Sequence, residues 1–289
     1  MELNNRAQPN SVALETTLLV HGVPSSSAQP LADELNQVVL DHGAHPALIG
    51  IINGIPTVGM SKGELEVMLR ADEVLKANTA NLGIALHRKV HAATTVSTTM
   101  ELAAAAGVQV FATGGIGGVH RGYGEHLDIS SDLAAFTRFP VAVVTSGVKS
   151  ILDVESTREA LETLGIPVIG YQTDTFPAFY LRDSNAGVDA QVDTIEDLAA
   201  IVKQELARTG RGVVVANPIP EDAELDRNQW DQWLTSATRA AQTRGAIGRN
   251  ATPAILSNLH QISNDATLTA NLALVRSNTD VAAQLAAAM

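Results

Sequence analysis

Short β-type apolar runs alternate with helical segments along this chain, and that alternation restricts its fold more than any other feature. Residues 12–20, 46–52, 81–86, 108–113, 141–145, 167–170 and 212–216 read as strands. Residues 27–42, 61–69, 95–106, 128–138, 150–164, 194–208, 226–244, 252–262 and 268–289 read as helices. Gly43 and Gly107 close two of these, since glycine takes the positive φ of a helix end. Ser61 and Glu64 have the spacing of a reciprocal capping box, and Asp128 offers an N-cap. Such an order predicts an α/β fold, a layered α/β/α arrangement with a largely parallel central sheet and a helical C-terminal part. No internal repeat, charge block or low-complexity linker interrupts the 289 residues, so a single domain over 1–289 is expected.

Composition removes several functional classes. A chain of this length buries roughly three quarters of its unfolded surface, which leaves room for a large core. Its net charge of −12 repels polynucleotide phosphates, whose neutralisation needs clustered Lys and Arg. No nucleic-acid polymer is expected as partner. The absence of cysteine rules out disulfides, thiolate metal sites and a cysteine nucleophile, and fits a reducing compartment. The start, Met1-Glu2-Leu3-Asn4-Asn5-Arg6, lacks the apolar core of a signal peptide, and no apolar run approaches the roughly 18 residues of a membrane span. No membrane partner and a cytoplasmic location are therefore expected.

Lys149, one of five lysines, closes the run Val141-Ala142-Val143-Val144-Thr145-Ser146-Gly147-Val148. An amine there stands where strand yields to helix, at the carboxyl edge of a sheet, where open α/β sheets place their chemistry. Apolar walls disfavour the ammonium form and favour a neutral amine that attacks carbonyls. The competing reading is a lysine whose stem lies along the sheet while its head reaches water. Gly114-Gly115-Ile116-Gly117-Gly118 follows a strand but lacks the spacing of a dinucleotide loop, so no nicotinamide cofactor is expected. Eight of the ten aromatic residues fall between Phe111 and Tyr180. That clustering suits a flat aglycone pocket, with core packing as the alternative.

Motifs in order along the chain are Ala13-Leu14-Glu15-Thr16-Thr17, Thr94-Thr95-Val96, Thr113 through His120-Arg121-Gly122, Asp128-Ile129-Ser130-Ser131-Asp132, the Lys149 segment, and Val215-Ala216-Asn217-Pro218-Ile219-Pro220. Over residues 12–282 this series resembles the pseudouridine-5'-phosphate glycosidase family, also called indigoidine synthase A-like. The resemblance implies that Lys149 forms an imine with the first carbon of a ring-opened ribose 5-phosphate. A carbon-carbon glycosidic bond needs such an electron sink, because the usual carboxylate pair works by protonating a leaving oxygen. The resemblance further makes Glu15 the acid/base and places His120 beside it and the aglycone. Asp128 becomes the ligand of a divalent cation, usually Mn2+, and Lys76 the phosphate-side lysine. Ser130, Ser131 and Asp132 then line the sugar-phosphate site, with Thr94, Thr95, Val96, Thr113 and Asn271 near it; a homotrimer is also implied.

Each residue has a plainer reading. Glu15 fits an edge-strand charge, His120 a structural loop histidine, Asp128 a helix cap, and Asn271 a polar helix position. Thr94, Thr95 and Val96 open a helix whose free amides suit an anion, although hydroxyl capping needs no ligand. The chain departs from the family pattern at Asn78-Thr79-Ala80-Asn81, Tyr123-Gly124-Glu125-His126, Ala254 and Ile262-Ser263-Asn264-Asp265. Retained imine machinery with a changed periphery favours C-ribosylation of a non-uracil aromatic acceptor, such as a polycyclic one, in natural-product biosynthesis. Cleavage of pseudouridine 5'-phosphate to uracil and ribose 5-phosphate is the alternative, and a non-catalytic sugar-phosphate binder the third.

Overall fold

The computed structural model describes residues 2–243, 255, 258–259 and 261–289. Eleven strands form one sheet: β1 Asn4–Asn5, β2 Ser11–Glu15, β3 His45–Ile52, β4 Ile55–Val58, β5 Leu75–Ala77, β6 Ala92–Thr94, β7 Val110–Ala112, β8 Ala142–Thr145, β9 Val168–Tyr171, β10 Ala190–Val192 and β11 Val213–Ala216. Seven of them, in the spatial order β3-β2-β7-β8-β11-β9-β10, run parallel. On one side β4 and β6 join β3 antiparallel, and β1 and β5 extend that edge. The central strands are buried throughout, from Val12 and Ala13 to Val143, Val144, Val214 and Val215. Such continuously apolar strands require helices over both faces. The architecture is a layered α/β/α fold.

Helices supply those layers. α1 Ser25–Asp41 packs on β3 and on the long last helix Ala266–Ala288, which in turn packs on Ile195–Thr209 and on β7 and β8. Val96–Ala105 lies under β2, β3 and β7, and packs on Ser131–Phe136. In chain order the helices are α1, α2 Lys62–Arg70, α3 Leu82–Arg88, α4 Val96–Ala105, α5 Tyr123–His126, α6 Ser131–Phe136, α7 Val154–Thr163, α8 Ile195–Thr209, α9 Arg227–Thr243 and α10 Ala266–Ala288. Among the described residues no helix is long and apolar enough to cross a membrane.

Several sequence expectations need correction. The run 12–20 is a strand only to Glu15; Leu18–Gly22 then coils into a π-helical turn that buries Leu19. Residues 81–86 form helix α3 rather than a strand. Asn78 Oδ1 accepts from the Ala80 and Asn81 amides and Asn81 Oδ1 from the Asn78 amide, a turn that starts the helix, and Leu82 and Ala85 are buried at helical spacing. Short apolar runs do not distinguish the two states. Asp128 is not the cap of α6: Ser130 is, its hydroxyl accepting from the Asp132 amide at 3.2 Å. α7 begins at Val154 behind Asp153, whose carboxylate accepts from the Ser156 amide at 2.9 Å. Most of the helix expected over 252–262 lies outside the described residues, as does Ala254. The β3–β4 hairpin turns at Asn53-Gly54, both at positive φ, as a two-residue turn of that kind requires, and the sequence reading passed over it.

The Ser61 capping box is present in full, with Ser61 Oγ accepting from the Glu64 amide and Glu64 Oε2 from the Ser61 amide at 2.7 Å. Glu64 also pairs with Arg6 at 2.6 Å. Ser61→Ala is expected to lower stability by about 1 kcal/mol, visible as a melting-temperature drop of a few degrees with turnover unchanged.

Candidate active site

The parallel strands were laid down in two directions: β2 leads outward to β3, and the chain then returns through α4 to place β7 on the other side of β2. Strand order therefore reverses between β2 and β7, and open α/β sheets form their binding crevice at the carboxyl ends of such a pair. Glu15 ends β2 and Thr113 follows β7. The Thr113 hydroxyl donates to Glu15 Oε1 at 2.5 Å, a charge-assisted bond. Burial pushes the Glu15 carboxyl above its usual range, against the opposing pull of Lys149 and of the Thr113 bond.

Lys149 is delivered to this crevice by a tightly fixed loop. After β8, Gly147 takes φ +82°, and a Cβ there would lie 1.8 Å from the Pro177 carbonyl oxygen. Only glycine fits. Val148 then bridges Ile116, the Lys149 amide donates to the Ile116 carbonyl at 3.1 Å, and the Lys149 carbonyl accepts from Leu152 at 2.9 Å. Lys76, on β5, completes the charged group. Its pKa is depressed by the protein crowded around it and by repulsion from Lys149, with Glu15 and Asp132 opposing. Lys76 retains solvent-exposed surface and Glu15 is half-buried, so both face an open cleft rather than a sealed interior.

Asp132 is buried and holds two loops together, Oδ1 accepting from the Ser97 amide at 2.9 Å and Oδ2 from the Gly117 amide at 2.8 Å. Its charge also reaches Glu15 and Lys76. The first turn of α4 is thus partly engaged: Ser97 N–H serves Asp132 and Thr95 N–H donates to Ala77. Thr95 Oγ1 meets Ser97 Oγ at 3.3 Å, and Ser97 Oγ meets Ser131 Oγ at 3.2 Å. Val96 is buried. Thr94 turns its hydroxyl inward to the Ile49 carbonyl at 2.8 Å, beside Thr16, whose hydroxyl accepts from the Thr94 amide. Thr16 was not singled out from sequence.

The glycine-rich loop is shaped by packing. A Cβ would lie 2.2 Å from Ser130 Oγ at Gly117, 2.3 Å from Thr157 Oγ1 at Gly118 and 2.5 Å from the Phe179 ring at Gly115. At Gly114 it would meet Leu274, Val275 and, at 3.2 Å, Asn271 Oδ1, which places Asn271 over the loop beside Thr113. His120 and Asp128 form a second pair, Nδ1 to Oδ2 3.7 Å, with the His120 amide donating to the Asp128 carbonyl. Among the described residues no group of three His, Asp or Glu side chains is arranged to hold a metal. Asp128 therefore fits a divalent ion only as one protein oxygen in a shell otherwise of water and substrate.

The aromatic cluster is largely core: Phe111, Phe136 and Phe176 are fully buried, and Tyr180 lies edge-on to Phe179 and Trp230 at 4.6 and 5.1 Å. A cavity of about 630 Å³ beside the Lys149 loop is lined by Arg121, Ser150, Asp153, Leu181 and Arg227, among others. Lys149, Glu15 and His120 are not in its wall. Sequence reading also passed over Asn278, a fully buried polar residue of α10; nothing in an Asn within an amphipathic helix marks it beforehand.

Glu15→Gln provides a test of the electrostatics. A carboxyl whose folded pKa lies above its unfolded value is penalised in its charged form, so the penalty is present above the folded pKa and vanishes as pH falls below the unfolded one. The variant is expected to melt higher than the parent at pH 8, with the gain shrinking toward pH 4 in thermal scans across that range.

Comparisons with known proteins agree with this architecture. Residues 4–288 match the family described as "Indigoidine synthase A like protein". The pseudouridine-5'-phosphate glycosidase of Hahella chejuensis is 47% identical over 279 residues, covering 96% of this chain and 92% of the relative. That of Symbiobacterium thermophilum is 42% identical over 284 residues, with the same coverage of 96% and 92%. Among solved structures, an indigoidine synthase A-like protein from Thermotoga maritima superposes with a TM-score of 0.90 at 35% identity, covering 99% of this chain and 96% of that one. The prealnumycin C-glycosynthase AlnA in complex with ribulose 5-phosphate also reaches 0.90, at 34% identity, covering 96% and 91%. With the match spanning nearly every residue and the strand-order crevice in place, the chain belongs to the indigoidine synthase A-like, or pseudouridine-5'-phosphate glycosidase, family.

Proposed function

We propose that this chain is a pseudouridine-5'-phosphate glycosidase, which splits pseudouridine 5'-phosphate with water, reversibly, into uracil and ribose 5-phosphate. It is an enzyme of the glycosidase or lyase type that its family represents. The observation that carries the reading is the meeting of Glu15, at the strand-order reversal, with the charges of Lys149 and Lys76. In the cleavage direction Glu15 protonates the ribose ring oxygen as its bond to the first carbon breaks. The neutral Lys149 amine bonds that carbon. The nitrogen then gives a proton to the Glu15 carboxylate, and its lone pair expels the uracil carbon, which leaves with the carbon-carbon electron pair and takes that proton from Glu15. Water hydrolyses the resulting iminium, releasing the sugar aldehyde and the free amine. Lys76 holds the phosphate, whose negative charge favours the ammonium form that burial and Lys149 disfavour. His120 stands on the aglycone side.

Uracil replaces the larger acceptor favoured by the sequence departures. Relatives named as pseudouridine-5'-phosphate glycosidases are 42% to 47% identical, against 34% for AlnA. Two of the departures also have conformational explanations. Asn264 and Asp265 both take left-handed backbone, φ 47° and 64°, which Asn and Asp tolerate where glycine is usual. Asn78 and Asn81 hydrogen-bond each other's backbone to start α3. The acceptor reading keeps one support, the departing segment after Gly122, where Tyr123 is 40% exposed.

The test is capture and turnover. Ribose 5-phosphate followed by borohydride is expected to add one sugar phosphate to the parent and none to Lys149→Ala. Uracil plus ribose 5-phosphate should give pseudouridine 5'-phosphate. An adduct without uracil turnover moves the assignment to C-ribosylation of another ring, and no adduct leaves a sugar-phosphate binder. Lys76→Ala is expected to raise KM by about ten- to a hundredfold, as befits loss of a charge-assisted hydrogen bond.

A divalent cation such as Mn2+ belongs to the same proposal. Asp128 would hold it, and bound there it would supply positive charge beside the sugar phosphate. Excess chelator and Asp128→Asn are both expected to depress turnover; full activity in chelator removes the metal from the scheme.

A further inference from the structure

Asn278 makes its hydrogen bonds to the ends of three strands. Its Nδ2 donates to the Thr113 carbonyl at 2.8 Å and to Ser146 Oγ at 3.1 Å, and its Oδ1 accepts from Asn217 Nδ2 at 2.9 Å. Asn217 also donates to Ser277 at 3.0 Å. Thr113 follows β7, Ser146 follows β8 and Asn217 follows β11, so one carboxamide, with 0% exposure, gathers the carboxyl edge of the sheet under α10. Two of these partners lead to the reacting groups. The Thr113 hydroxyl donates to Glu15. Ser146 begins the Gly147-Val148-Lys149 turn, its amide donating to Gly114 and its carbonyl accepting from Phe179.

We propose that Asn278 is a positioning residue, which fixes Glu15 and Lys149 relative to each other by holding Thr113 with one amide hydrogen and Ser146 with the other. The role rests on the imine reading above. A carboxamide serves all three partners because it offers a donor to the Thr113 carbonyl and an acceptor to Asn217 at once, with Ser146 Oγ 3.1 Å from its nitrogen and 3.3 Å from its oxygen. An aspartate would set an oxygen against the Thr113 carbonyl, and an apolar side chain would take this partner from the Thr113 carbonyl and the Ser146 hydroxyl and leave Asn217 with Ser277. The network also orients the amide, since the flipped form places its oxygen on that carbonyl.

Glu15 is faced by Thr113, by Lys149 from the loop after β8, by Lys76 from β5 and by Asp132 from α6. Releasing Thr113 removes a bond that favours the carboxylate. Asn278→Ser is therefore expected to lower kcat by about ten- to a hundredfold with KM for ribose 5-phosphate changed less than about threefold. The pH limb set by Glu15 should move to higher pH. Thr113→Val should move the same limb, and the double variant should move it no further than Thr113→Val alone. Ser146→Ala, a milder change, should slow borohydride trapping at Lys149 and leave the limb in place. A folded Asn278→Ser with parental kcat and limb overturns the proposal. So does a loss that follows only the melting temperature with an unmoved limb. Should Asn278→Ser not fold, a Ser146→Ala enzyme that traps at the parental rate overturns it instead. A parent that forms no adduct defeats the imine reading itself, and this role with it.

Discussion

A half-buried carboxyl group that feels two lysines where the strand order reverses is the interaction around which this fold is arranged. Burial raises the Glu15 pKa, while Lys149 and the Thr113 hydroxyl lower it. The two effects oppose each other at one group. The arrangement exists only because the strand order reverses beside β2. That reversal parts the loops after β2 and β7; the loop after β8 and helix α6 then bring Lys149 and Asp132 to the opening, with Asn278 of α10 buried beneath.

Close backbone approach does the rest of the assembly. The glycine-rich loop after β7 resembles a phosphate cradle in composition, yet side chains from α6, α7, α10 and residue 179 occupy the space that its missing Cβ atoms leave. Asp132 then bonds a glycine amide of that loop and the first turn of α4 with its two oxygens. The start of α4 and the glycine-rich loop are joined through one buried carboxylate, whose charge is felt at Glu15 as well.

Much of the fold was legible because the central strands are buried on both faces and their apolar runs are unbroken. Edge strands were not: Asn4–Asn5, Leu75–Ala77, Ala92–Thr94 and Ala190–Val192 are two or three residues long, too short for any period to register. α3 was misread since Leu82 and Ala85 fit either pattern until the Asn78–Asn81 turn is seen. At the site, the motifs located Lys149, Glu15, Thr113, Lys76 and Asp132, which the fold brings together. What a residue type cannot disclose is its partner. Thr94 faces the core and Asp132 holds backbone amides, while Asn278, unmarked in a helix of small and apolar residues, links three strand ends.

Gly147 has a wider consequence. Because the Pro177 carbonyl fills the volume that any side chain at 147 would need, the turn bearing the amine and the segment through Phe179 behave as a single mechanical piece. Sequence drift along that segment is transmitted to the Lys149 turn, which makes it a poor place for evolution to retune the site. The exposed side chains of Tyr123 and Leu127 lie outside that piece, and divergence among relatives is free to accumulate at them.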